Sequence, residues 1–485
     1  MSLQVADEFA SRVLLSRPIK IEISNSPLTS DAGLLPISQF DAQIGLTAGF
    51  AAALHDSRNE AFVQQPLQSM VQQRIFGIIA DYEDQNDHDT LRFDPMFKLV
   101  SGRLPTDKPL ASQPTLSRFE NDVSIADLWR LRALFVDEFI KSFPTPPRQL
   151  TLDVDAFDDP AHGRQQLTFF HGYYGSNQYL PIVFTCAEND AVVLIGLRHG
   201  TCAAALGADD DIRYITSRLR AVWPDVSIHI RGDCGFGVPS MYDACEELSL
   251  FYTFGVGMNP RVKKLSLACL EEALAEYQKT GIAQRLFDRT LYRADSWPNE
   301  RQIVIKAEAN AMGTNTRAVV TNRPGWKVSP QGIYDDYAER GESENRNKEL
   351  KCDLQAGRLS DHRFVANYFR LYLHAAALNL VVRMRQAIIP SVPTPAELGM
   401  STALPECALD EPQYREFYNR RHVWNPLSSA CVSTWRTRLI KVAAEVITRS
   451  RHVIIRLSAT WPHLDIFRAF CQAVSSRSSP SVATG

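Results

Sequence analysis

Long apolar runs, paired cysteines and an excess of positive charge are all missing from this chain. No hydrophobic stretch reaches the about 18 residues that a membrane-crossing helix requires, and the first residues lack the charged-then-apolar order of a secretory leader. Neither a membrane nor export is expected, and a cytoplasmic location is the expectation that remains. The nine cysteines are odd in number and scattered, with no Cys-x-x-Cys pair. That argues against a disulfide framework and a zinc site, and for reduced thiols. A net charge of −3 gives the chain as a whole no pull on a polyanion. With 45% hydrophobic and 22% charged residues over 485 positions, what remains is a globular chain too long for one ordinary core; two or three domains are expected.

What is present is an unusual polar face. In IYDDYAERGESENRNKELK, Tyr337 is followed at offsets of three, seven and fourteen by Arg340, Glu344 and Lys351. On a continuous helix, at about 100° per residue, all four fall within roughly 60° of one another. A helix packed on a core would carry Leu, Ile or Val there. The plain alternative is a solvated helix with i,i+4 ion pairs.

Two further acidic sites lie upstream, each at the end of an apolar run that reads as a strand. In QLTLDVDAFDDP, Leu150, Leu152 and Val154 alternate with Thr151, Asp153 and Asp155, so a period of two puts both carboxylates on one face. In VSIHIRGDCGFG, Val226, Ile228 and Ile230 lead to Asp233 just before a glycine turn, at the strand edge where open α/β sheets place ligands. Three carboxylates gathered at one edge repel unless a cation neutralises them. Oxygen donors without Cys or His spacing favour Mg²⁺ or Mn²⁺, and two such ions about 4 Å apart serve phosphoryl transfer.

At these residues the chain resembles the DDE (Asp-Asp-Glu) transposases of bacterial insertion sequences. It is most similar to the branch with the signature Tyr-(2)-Arg-(3)-Glu-(6)-Lys, which Tyr337, Arg340, Glu344 and Lys351 match at every spacing. Residues 159–163 (Asp-Pro-Ala-His-Gly), 171–175 (His-Gly-Tyr-Tyr-Gly) and 231–236 (Arg-Gly-Asp-Cys-Gly-Phe) resemble further blocks of that branch, and the similarity runs from about Leu28 to about Phe470. The resemblance implies a ribonuclease H-like catalytic domain of α/β class with an inserted β subdomain, preceded by a mainly helical N-terminal region. It carries the metal-binding acids over as Asp155 or Asp153, Asp233 and Glu344, with Asp155 favoured although Phe157 stands where a hydroxyl residue is expected. It further implies two Mg²⁺ or Mn²⁺ ions, terminal inverted repeats and target DNA as partners, a homodimer in the DNA complex, and cut-and-paste movement in a bacterial cytoplasm, bound at the nucleoid. A ribonuclease H-like nuclease without transposition, or an inactive transposase-derived DNA binder, are the alternatives.

Along the chain, residues 1–147 read as a mainly helical DNA-binding region. One helix starts at Pro66 and another runs from Asp127 to Phe139. Between them Gln113–Glu120 resembles the opening of a recognition helix, with Arg118 a candidate for DNA contact. PTPPR (144–148) marks the boundary of a catalytic domain spanning 148–388. That domain opens with strands over Leu150–Ala156, Gln166–Tyr173 and Leu180–Glu188, the last continuing through Ala191–Arg198. A helix near Ala208–Val222 and a β insertion at about 256–328 come next. Trp297, in a turn of the insertion, is a candidate for stacking on an unpaired base. A long apolar helix from Phe364 to Ala387 backs the sheet. Residues 389–485 form a C-terminal region with a Pro-rich linker at 390–405 and a Ser-rich tail after Ser475. Between Glu411 and Thr460 it carries nine Lys or Arg (Arg415, Arg420, Arg421, Arg436, Arg438, Lys441, Arg449, Arg451, Arg456) against three acids, a segment suited to tracking phosphates.

Overall fold

The computed structural model describes residues 25–325, 327–388 and 430–476. Its centre is an eight-stranded sheet: β1 (Gln149–Ala156), β2 (Ile182–Cys186), β3 (Val192–Gly196), β4 (Ser227–Gly232), β5 (Phe251–Val256), β6 (Gln284–Tyr292), β7 (Arg301–Asn310) and β8 (Gly313–Thr321). They lie in the order β6-β7-β8-β5-β4-β1-β2-β3. β1, β2 and β3 run antiparallel in order; residues 187–191 make a short turn between β2 and β3, whereas residues 157–181, between β1 and β2, hold a separate small hairpin. β4 returns parallel to β1 and β5 parallel to β4, each after a helical crossover. The first crossover helix, Ala208–Val222, buries Ile212, Ile215 and Leu219 along one face and carries Asp209, Asp210 and Asp211 in its first turn, where the helix dipole favours acids. An antiparallel three followed by two parallel strands is the ribonuclease H-like arrangement.

Three features add to the sequence-based expectation or differ from it. The residues Gln166–Tyr173 are not the second strand of the sheet. A short strand, Phe169–His171, pairs instead with Ser176–Tyr179 in a separate small hairpin, and β2 and β3 supply the meander. Its exposed rings and turn glycines give it no apolar face to bury in the main sheet. The expected β insertion is present as β6 to β8, and its attachment is now defined: β8 pairs antiparallel with β5, Val319 opposite Gly255, so the insertion extends the catalytic sheet at its edge.

The third concerns the basic C-terminal segment. Arg436 is buried and donates to the carbonyls of Ile78, Ile79 and Asp353. Lys441 pairs with Asp31 at 2.9 Å and lies over the Tyr82 ring, and Arg456 pairs with Glu445. Arg436 and Lys441 therefore act as ties within the molecule, since burying a cation requires a partner; Arg456, whose ion pair lies at the surface, is exposed, as are Arg438, Arg449 and Arg451. Arg415, Arg420 and Arg421, the linker at 390–405 and the tail from residue 477 lie outside the described residues.

The helical layer rests on the long helix Phe364–Ile388, whose apolar residues cover most of its circumference and so demand burial all round. On one side it meets β3; on the other it packs against Leu67–Ile79 and Gln113–Asp122, with Phe369 edge-on to Phe119 at 5.3 Å. Residues from both ends of the chain complete the same core: the strand Leu28–Thr29 pairs with Ala444–Thr448, which pairs with Val453–Leu457.

Candidate active site

The parallel register of β1 on β4 decides what each acid of DVDA does. Asp153 lies opposite Arg231, and Val154 opposite Gly232. Asp153 is 2% exposed and receives both arms of the Arg231 guanidinium, at 2.7 and 2.8 Å. It is a structural acid, its charge consumed by a buried bidentate pair. Asp155, two residues further along the same face, emerges at the strand end beside Asp233. Burial raises its pKa, Arg340 opposes the rise, and the charge of Asp233 adds to it.

Asp233 is fixed by a tight turn in which the Gly235 amide donates to its Oδ1 at 2.8 Å. Backbone crowds in from the neighbouring strand: a Cβ on Gly255 would sit 2.9 Å from both the Cys234 nitrogen and the Tyr337 hydroxyl. Only glycine permits this approach.

The signature segment is not one straight helix, a correction to the single-face reading. Pro330–Ala338 ends before Arg340, Gly341–Lys348 restarts, and Glu349–Asp353 forms a π turn. The break has i→i−3 hydrogen bonds from Arg340, Glu342 and Ser343, at a glycine that weakens the helix. The π turn is anchored by Glu349, buried between Arg346, Arg385 and the Val432 amide. An extra residue in one turn rotates the downstream residues by about 100°. Lys351, inside that turn, pairs with Asp158 at 2.6 Å.

Arg340 is the hub. Its guanidinium lies 3.2 Å from Asp155 and donates to Glu344 at 2.7 Å. Against the cost of its own burial, its charge is supported by Asp155 first, then Tyr337, Asp233 and Glu344. The side chain of Glu344 is 62% exposed and turned outward onto Arg340. Burial pushes the Tyr337 phenol up to about 12, with Arg340 opposing and Asp233 adding.

Behind this layer, Asp336 accepts from Arg323 at 2.8 Å, and its carbonyl accepts from Arg231. The same Arg231 thus locks both Asp153 and the helix that carries Tyr337. Asn347, unremarked in the sequence, donates to Asp155 Oδ2 at 2.8 Å, while its own buried amide oxygen has no hydrogen-bond partner among the described residues. Lying one helical turn beyond Glu344, it was open to discovery through the i,i+3 spacing.

Two candidates for DNA contact fare differently. Trp297 is buried, edge-on to Tyr242 at 5.1 Å and Tyr292 at 5.3 Å, so it packs the insertion and presents no face to a base. Arg118 is exposed on Gln113–Asp122, where it bonds Thr115. The opposite face of that helix is pinned through Glu120 to Arg74 and Arg370.

As donors, Asp155 and Asp233 suit a hard cation: two adjacent carboxylates, one with its ionisation opposed by the other. Among the described residues no three acidic, His or Cys side chains come together as a ready ligand group, because Glu344 stands off on Arg340.

The sheet and the acids at its edge define a ribonuclease H-like α/β protein. The chain belongs to the transposase DDE domain group 1 family, whose model matches residues 11–397. Among solved structures, a piggyBac transposase synaptic complex with hairpin DNA is similar at 12% identity, with a TM-score of 0.38 and 84% of each chain covered. No curated protein matches the sequence.

Proposed function

We propose that this transposase binds the terminal inverted repeats of a bacterial insertion sequence, frees their 3′ ends and joins them to target DNA by cut-and-paste movement. It would work in the cytoplasm as a homodimer on DNA. The observation that carries the reading is the placement of Asp155 and Asp233 side by side at the ends of adjacent parallel strands, with Arg340 3.2 Å from Asp155 and bonded in turn to Glu344. Asp155, Asp233 and Glu344 are the residues that would hold two Mg²⁺ or Mn²⁺ ions. When bound, such ions supply a Lewis acid for the attacking oxygen and neutralise charge at the scissile phosphate. The protein's own part is positioning: Arg340 offers a guanidinium to a phosphate, Tyr337 packs against the strand near the cut, and Lys351 supplies a further cation at the same edge.

Purified protein, incubated with its terminal repeats and Mg²⁺ or Mn²⁺, should cut at the repeat ends and join them to a target. Glu344→Gln should abolish cutting while retaining DNA affinity; undiminished cutting by that variant would reject the site. A second reading, an inactive descendant that only binds DNA, is favoured by the outward position of Glu344. It predicts binding without cleavage by the wild type. Cutting without joining of paired ends would instead indicate a nuclease.

A further inference from the structure

The block His-Gly-Tyr-Tyr-Gly (171–175) finds no role in holding the acids, yet it rises beside them. The hairpin of Phe169–His171 and Ser176–Tyr179 turns through four residues, with Gly175 at φ +69°. Its return strand pairs with Asp159–Pro160, a few residues after Asp155, so it is rooted in the same strand end as the site. The root is rigid. Tyr179 is fully buried and donates to the Gln166 carbonyl at 2.6 Å. Gly200 lies so close that a Cβ there would run into the carbonyls of Gln178 and Phe169.

The tip is the opposite. Phe170 is 61% exposed and Tyr173 86%, with Phe169 and Tyr174 also exposed. The rings form a connected series: Tyr173 meets Tyr174 edge-on at 4.9 Å, and Tyr174 meets His171 at 5.0 Å. Besides burial, the charges of Asp158, Asp155 and Asp233 hold the Tyr174 phenol up, so its hydroxyl stands within the field of the acids. From Gln165 to Ala187 there is no Asp, Glu, Lys or Arg. A rigid, uncharged hairpin that exposes aromatic rings is not built to attract phosphate or a charged peptide. It offers π faces, and every nucleobase has one.

We infer that the hairpin Phe169–Tyr179 is a stacking platform for unpaired nucleobases next to the scissile phosphate. The inference rests on the transposase reading, which brings a DNA strand to the acid pair. With the phosphate there, Tyr174 is the inner ring, and Tyr173 and Phe170 are the outer ones that would take the bases.

The test uses the full chain and two DNA probes without divalent ions: a fully paired duplex, and the same duplex with a short single-stranded gap carrying 2-aminopurine. Stacking is worth about 1–3 kcal/mol per base, or roughly 5- to 150-fold in affinity. Phe170→Ala/Tyr173→Ala should lose at least that factor for the gapped probe, lose the 2-aminopurine quench, and bind paired duplex as the wild type does. Both side chains are exposed, so folding should be unaffected, and Tyr173→Trp should restore the quench. Wild-type cleavage of terminal repeats is measured in parallel. If the wild type cuts but the double variant binds the gapped probe unchanged, the platform is rejected and the transposase reading stands. If the variant instead loses a self-association that the wild type shows, with both DNA affinities intact, the hairpin is an interface between copies and the platform is again rejected. If the wild type binds neither probe and cuts nothing, the transposase reading fails and the platform with it.

Discussion

Asp153 and Asp155 are equivalent in the sequence pattern, both acidic and on one face of a strand, and they differ only in what β4 sets against them. Asp153→Asn would leave Arg231 buried beside a neutral amide. We expect it to cost about 3–5 kcal/mol, the penalty of an uncompensated buried charge, measured by urea unfolding. Asp155→Asn should unfold within about 1 kcal/mol of wild type, because burial already disfavours its ionised form, while cleavage is lost. Equal stability losses in the two variants would refute this division of roles. Asn347→Ala should weaken Mn²⁺ binding about 10- to 100-fold, the usual effect of removing a group that orients a ligand. Calorimetry without DNA checks it, and unchanged affinity would remove Asn347 from the site. Alternation revealed the acids because a strand has period two; the choice between them rested on a register that joins distant segments.

The elements whose signals are local were legible. Ala208–Val222 appears with the expected bounds, and β1, β4 and the long helix lie within a residue or two of theirs, because apolar periodicity and flanking turns determine them. The separation of the small hairpin from the main sheet and the break in the signature helix were not. Nothing local says that Phe169 stays out of the main sheet, and the π turn depends on Glu349 meeting Arg385 and Val432, residues far along the chain. The same limit applies to Trp297, whose burial comes from Tyr242 and Tyr292. The close approach at Gly255 gives a test at this scale. Gly255→Ala must push back either the Asp233 turn or Tyr337, at about 1–3 kcal/mol for an overpacked site. The expected result is a modest fall in thermal stability with at least a tenfold loss of cleavage; full activity would show that the contact is slack.

Across the whole molecule, three buried histidines tie stability to pH. Burial drives His88 and His229 well below the usual value and His374 down to about 3, so all three are neutral in the fold. On unfolding they regain a value near 6.5. Their contribution is therefore present above about pH 6.5 and is lost as pH falls below it, by at most about 1.4 kcal/mol per pH unit each. Urea unfolding at pH 7 and pH 5 should show a steep decline, made shallower by His374→Asn; an unchanged slope in that variant would contradict its neutral burial. Another consequence concerns timing. The strand Leu28–Thr29 has its partner at Ala444–Glu445. A ribosome adding about 5–20 residues per second reaches that partner on the order of 20–80 s later. The sheet that bears Asp155 and Asp233, contiguous from 149 to 321, can close on the nascent chain well before then. Leu28–Thr29 is seated only after the catalytic sheet has had time to form, and an unfinished chain can carry that sheet without its completed helical layer.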